Sequence, residues 1–242
     1  SLTGLIDQMR IAKKGQPNSW NGRVLHSAKP CFITALHQTL NQPVVIITSQ
    51  SEGAKHLFEQ LSVWSIDSAN VHLFPEPDIK PYEQESWDLM VVIERLQVLS
   101  LLANVLATAP VIVTSIGAVA RKTIDRSLFS KSTIEVIPGI TLGQQSLVNN
   151  LIMMGYETDR AVEIPGTFNR RGGIIDVFSP AQDYPVRLDF FGDEIETVRS
   201  FDPGTQKSLG ALGSALLIPA NEALPDISKE LDIPEFISNA DV

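Results

Sequence analysis

Residues 163–201 read EIPGTFNRRGGIIDVFSPAQDYPVRLDFFGDEIETVRSF, and they decide the fold of the C-terminal half of the chain. The stretch holds short runs of β-forming residues punctuated by Gly and Pro. Ile174–Phe178 is apolar apart from one carboxylate, Asp176. Tyr184–Phe191 alternates, with Val186, Leu188 and Phe190 on one face and Arg187, Asp189 and Phe191 on the other. Gly192-Asp193 supplies a turn, and Glu194–Phe201 returns as the partner strand. Arg170-Arg171-Gly172-Gly173 is a second turn, where glycine permits positive φ and two guanidinium groups stand at a hairpin tip. The expectation is a compact antiparallel meander that offers its arginine-bearing tip to a partner.

Just before this stretch, Thr133–Ile137 reads as a strand and Leu142–Met154 as a helix stopped by Gly155. With the meander they form an expected α+β unit over residues 126–208. Further upstream the grammar is different. Residues 2–14 carry an apolar stripe at helical spacing, and Arg23–His26 reads as a short strand. Pro30–Asn41 reads as a helix with Phe32, Ala35, Leu36 and Leu40 inward. Pro43–Thr48 (PVVIIT) reads as a buried strand, followed by a helix carrying Ala54, Leu57, Phe58 and Leu61 inward. Val71–Phe74 is a strand, Asp88–Ala107 a long helix and Pro110–Thr114 (PVIVT) another buried strand, with a helix over 115–122. Alternating helices and strands predict a parallel sheet covered on both faces. Pro75–Ser86, with three prolines and four acids, is an expected loop. Ala215–Pro219 is a further expected strand, which returns to the first domain. The domains are then residues 1–125 with 209–242, and an inserted unit at 126–208.

Composition narrows the function classes. The chain has 242 residues, 43% hydrophobic and 19% charged, as expected of a soluble globular protein. The apolar region Leu89–Val113 is interrupted by Glu94, Arg95, Gln97, Asn104 and Pro110, which argues against a membrane span. A start at Ser1 without a charged-then-apolar leader is expected of a trimmed piece rather than a secreted precursor. Cys31 is the only cysteine, which excludes internal disulfides and multi-cysteine zinc clusters and fits a reducing, cytoplasmic setting. It is expected to be a small buried hydrophobe. Four histidines, His26, His37, His56 and His72, show no metal spacing. The net charge of −9 opposes a nucleic-acid groove. Even Glu157–Lys207 carries six Lys/Arg against ten Asp/Glu, so weak DNA binding at most is expected. The acids Asp189, Asp193, Glu194 and Glu196 read as a solvated face around a turn. No catalytic residue, metal site or cofactor is expected.

The runs TFNRRGGIIDVFSP and YPVRLDFFGDEIETVRSFDPGTQKSL resemble the second domain of the bacterial transcription-repair coupling factors, and a related module occurs in excinuclease B (UvrB). Weaker similarity extends back to about Gly22 and includes FPEPDIKPYEQES and VTSIGAVARK. The resemblance implies an α/β fold: a degenerate helicase-like (P-loop-type) parallel-sheet domain with a smaller inserted α+β domain. It also implies a contact with excinuclease A (UvrA). RNA polymerase and DNA would be reached only through other parts of the full-length protein, an ATP-dependent DNA translocase, and no membrane is involved.

The resemblance raises the question of a nucleotide site. A phosphate-binding loop needs G-x-x-x-x-G-K-[ST], whose glycines let backbone N–H groups wrap the phosphates. The matching turn, Leu25–Cys31, keeps Lys29 but lacks both glycines and the hydroxyl, and Pro30 removes a donor. Nor does Phe74–Asp88 match the aromatic-rich DNA-probing hairpin of UvrB, since beyond Phe74 it offers only Tyr82 and Trp87. The rival reading, a fragment of a UvrB-type ATPase that itself handles damaged DNA, is therefore disfavoured. The expected role is non-catalytic recruitment of UvrA, with partner-binding residues Arg171, Arg170, Phe168, Arg160 and Ile175. Phe168 is expected as an aromatic anchor beside planar donors. Arg171 matches the family arginine before the first glycine. Asn169 stands where UvrB has another arginine. Thr158 stands where the family often has one after G-Y, with Arg160 two residues on.

Overall fold

The computed structural model describes residues 22–65, 68–77, 88–103 and 109–222. The expected helix at 2–14, the loop bearing Tyr82 and Trp87, and the acidic stretch from 223 onward lie outside the described residues. In chain order the helices and strands are Lys29–Leu40 (α1), Val44–Thr48 (β1), Ser51–Trp64 (α2), Val71–Phe74 (β2), Leu89–Ala103 (α3), Val111–Ser115 (β3), Ile116–Ala120 (α4) and Arg126–Lys131 (α5). They continue with Ile134–Val136 (β4), Gln144–Met153 (α6), Glu157–Thr158 (β5), Thr167–Arg171 (β6), Ile174–Phe178 (β7), Val186–Phe191 (β8), Glu194–Phe201 (β9), Ser208–Ala211 (β10) and Ala215–Leu217 (β11). The chain divides into two units, residues 1–77 with 106–121, and residues 78–105 with 122–242.

The first unit is built on a three-stranded parallel sheet in the order β1-β3-β2. β3 is buried at every position, as a central parallel strand should be. Ala54, Leu57 and Leu61 of α2 pack on Val71, Val111 and Val113, with Ile33 and Ile46 at the margin. β1 departs from expectation: Val45 and Ile47 are exposed, on the face opposite α2. The expected strand at Arg23–His26 does not form. A single 3₁₀ turn, His26–Ala28, runs into α1, whose first turn holds Pro30. Cys31 is exposed there rather than buried.

The second unit carries a six-stranded sheet in the order β10-β9-β8-β7-β6-β5, antiparallel except for the short β5–β6 pair. Its two hairpins close through Gly172-Gly173 and Gly192-Asp193, with Gly172 at φ +60° and Gly192 at φ +64°. One sheet face buries Phe168, Ile175, Val177, Val186, Leu188 and Val198 against Leu147 and Leu151 of α6 and Val136 and Leu217 of the β4–β11 pair. Tyr156 joins this core and donates from its hydroxyl to the Ile218 carbonyl at 2.7 Å.

Two expected domain assignments are corrected. β11 pairs antiparallel with β4 instead of returning to the parallel sheet, so residues 209–222 continue the second unit. α3 also belongs there: Leu96 packs with Ile124, Phe129 and Ile218. Arg95 of α3, wholly buried, forks onto Glu222, and Thr123 Oγ1 donates to the same carboxylate at 2.6 Å. The apolar stripe of α3 was legible, but the partners it would choose were not.

Candidate functional site: an arginine–carboxylate cluster on the outer sheet face

Period-2 alternation puts Asn169, Asp176, Arg187 and Arg199 in one row across β6, β7, β8 and β9, opposite the core. The next row toward the hairpin tips holds Arg171, Ile174, Asp189 and Thr197. At the other end, Phe178 and Phe201 of the same face pack with Val162. The outer face thus has a small apolar base and a charged centre.

Asp176 is the hub. Only 1% exposed, it would be costly as an isolated charge. Arg171 Nη2 donates to its Oδ2 at 2.6 Å, and Arg187 donates from Nε to Oδ1 at 2.6 Å and from Nη2 to Oδ2 at 2.9 Å. The Asp176 bond is the largest influence holding the Arg187 pKa above its ordinary value, with a further Coulombic contribution from Asp189. The Arg187 guanidinium also lies 4.6 Å from the centre of the Phe201 ring, a cation–π contact that fixes its plane. Beside them Arg199 Nη2 donates to Asp189 Oδ2 at 2.5 Å, and the Thr197 hydroxyl donates to the same oxygen. Three guanidiniums therefore face two carboxylates in a braced array. With one nitrogen on Asp176, Arg171 keeps its side chain 56% exposed. Its fork is oriented before any partner arrives, which is the arrangement suited to planar recognition of a carboxylate or carbonyl.

The residues expected from sequence are only partly brought together. Arg171 lies on the outer face. Arg170 points to the opposite side, where its Nη1 donates to Gln145 Oε1 of α6 at 2.9 Å. Phe168 is 2% exposed and Ile175 is fully buried, both in the core. The expectation that they present apolar surface to a partner is corrected: Phe168 pairs with Val177 and Ile175 with Leu188, all four on the α6 side. Arg160 is exposed beyond β5, and its carbonyl accepts from Asn169 Nδ2 at 2.7 Å, so Asn169 pins that loop. Thr158 is exposed on β5. Sequence reasoning missed Arg187, Arg199 and the hub role of Asp176. The signal was the lone acid in the apolar run IIDVF, which demanded a cationic partner.

Among the described residues no group of His, Cys, Asp and Glu is placed to hold a metal ion, and no helix is long and apolar enough to cross a membrane.

Comparison with known proteins places this sheet. Residues 134–222, from β4 to the end of the described chain, match the family model described as "UvrB interaction domain". The chain is 34% identical over 225 residues to a transcription-repair-coupling factor of Myxococcus xanthus, covering 91% of this chain and 18% of that protein. It is 29% identical over 198 residues to one of Bacillus subtilis, covering 82% of this chain and 17% of that protein. It is also 29% identical over 209 residues to one of Haemophilus influenzae, covering 86% and 18%. The chain thus spans less than a fifth of the length of these relatives. Residues 134–222, with their six-stranded sheet and arginine–carboxylate face, match the UvrB interaction domain family, in a chain similar over most of its length to part of the transcription-repair-coupling factors.

Proposed function

We propose that this chain is a non-catalytic recruitment module that docks UvrA through the outer face of the six-stranded sheet. It would thereby link stalled RNA polymerase to nucleotide excision repair. The observation that carries the reading is the coincidence of the matched domain with the braced cluster of Arg171, Asp176, Arg187 and Arg199. Polymerase and DNA contacts, and any ATP-driven motor, lie in parts of the coupling factor outside this chain. The first unit acts as a degenerate helicase-like scaffold without a nucleotide site, because the turn before α1 lacks the phosphate-loop glycines.

The test is retention of UvrA on immobilised chain at micromolar concentration, followed by addition of excess UvrB. Retention that UvrB abolishes is the expected result, since the two proteins would offer the same module to the same surface. Failure to retain UvrA overturns the recruitment reading.

A further inference from the structure

We propose that Phe191 is the aromatic anchor of this docking face, and that it enters an apolar recess on the partner whose rim is acidic toward Arg171 and basic toward Asp193 and Glu194. The inference rests on the recruitment reading and names the residue that supplies its apolar contact.

At 80% exposure, Phe191 is the most exposed aromatic side chain among the described residues. Its neighbour Phe190 packs against the core, so Phe191 stands on the outer face, one step beyond Asp189 toward the hairpin tip. From strand spacing and rise, it sits about 12 Å from Arg171, two strands across and one step along. One footprint of ordinary size covers both.

The tip is held still. Phe190 N–H donates to the Gly173 carbonyl at 2.8 Å, which ties the two hairpin ends together. Leu142 N–H donates to the Asp193 carbonyl at 2.7 Å, Gly139 N–H to the Ile195 carbonyl at 2.7 Å, and Ile195 N–H to the Ile140 carbonyl at 3.0 Å. A large ring on a backbone fixed from both sides loses little freedom when it is covered. Charge surrounds it asymmetrically: guanidinium on the Arg171 side, carboxylates of Asp193 and Glu194 in and beside the turn, both exposed. This asymmetry commits the site to a protein surface of matching polarity rather than to an apolar film. Phe191 holds the role that adjacency in sequence suggested for Phe168.

The experiment measures the affinity of UvrA for wild type, Phe191→Ala, Phe191→Leu and Arg171→Ala, with thermal unfolding of each and sedimentation of the free chain. The expected result is a loss of about 10- to 100-fold for Phe191→Ala, partial retention for Phe191→Leu and unchanged unfolding for both. If wild type binds and Arg171→Ala weakens it while Phe191→Ala stays within twofold, the anchor is overturned and the recruitment reading stands. A self-association of the free chain that Phe191→Ala abolishes, with affinity for UvrA unchanged, also overturns the anchor. Absence of wild-type binding removes both.

Discussion

Among single residues, Asp176 and Arg171 play different parts despite their shared bond. Asp176 is buried, and its carboxylate neutralises Arg187, whose side chain is 18% exposed. Removing the charge leaves a half-buried guanidinium against the apolar base of Phe178 and Phe201. Asp176→Asn is expected to lower stability by about 2–4 kcal/mol, read as a shift of the urea midpoint without a change in slope. Arg171 is the exposed partner, and Asp176 keeps Arg187 without it, so its own ion pair is worth at most about 1 kcal/mol. An Asp176→Asn variant as stable as wild type would show that the hub is ornamental. The place of Arg171 beside the hairpin tip is legible from the RRGG turn, but adjacency in sequence misplaces the residues around it. Phe168 and Arg170 share one face, and Asn169 and Arg171 the other, because the two-residue turn pairs Arg171 with Ile174. Counting back from that turn by twos puts Phe168 in the core. Neighbours on a face, not neighbours in sequence, decide which side chains can act together on a strand.

Among the secondary-structure elements, β7, β8, β9 and both glycine turns were legible, because alternation in VRLDFF and punctuation by Gly172 and Gly192 are local signals, whereas β5, β6 and β10 were not read as strands and the strand read at Arg23–His26 does not form. What local signals could not convey is allegiance. β11 reads as ALL whichever sheet it joins, and it is completed by Ile134 and Val136 of β4, about eighty residues away in sequence. Tyr156 secures that end of the unit by donating to the Ile218 carbonyl just after β11. Burial pushes the Tyr156 phenol well above its ordinary value, opposed in part by Ser179. Because the folded value is raised, its contribution to stability is whole below the unfolded value of about 10 and falls as pH climbs past it. Unfolding free energy is therefore expected to decline above about pH 10. Tyr156→Phe should flatten that decline while costing about 1–2 kcal/mol at neutral pH from the orphaned carbonyl. Parallel alkaline profiles for the two proteins would remove Tyr156 from the explanation.

Across the molecule as a whole, an acidic chain of net charge −9 carries its exposed arginine fork in a cluster where three guanidiniums meet two carboxylates. That contrast suits recognition of one protein surface better than a run of phosphates, whose capture needs several cations in line. The proposal on which the rest depends is that the outer sheet face binds UvrA, with Arg171 at its charged centre. Its decisive check is a calorimetric titration of UvrA into wild type and Arg171→Ala, each first shown to be folded by thermal unfolding. Saturable wild-type binding is expected, with a loss of roughly 30- to 1,000-fold in the variant, about 2–4 kcal/mol, and unfolding little changed. Equal affinity for the two proteins, or a variant that loses binding only because it no longer folds, would refute it.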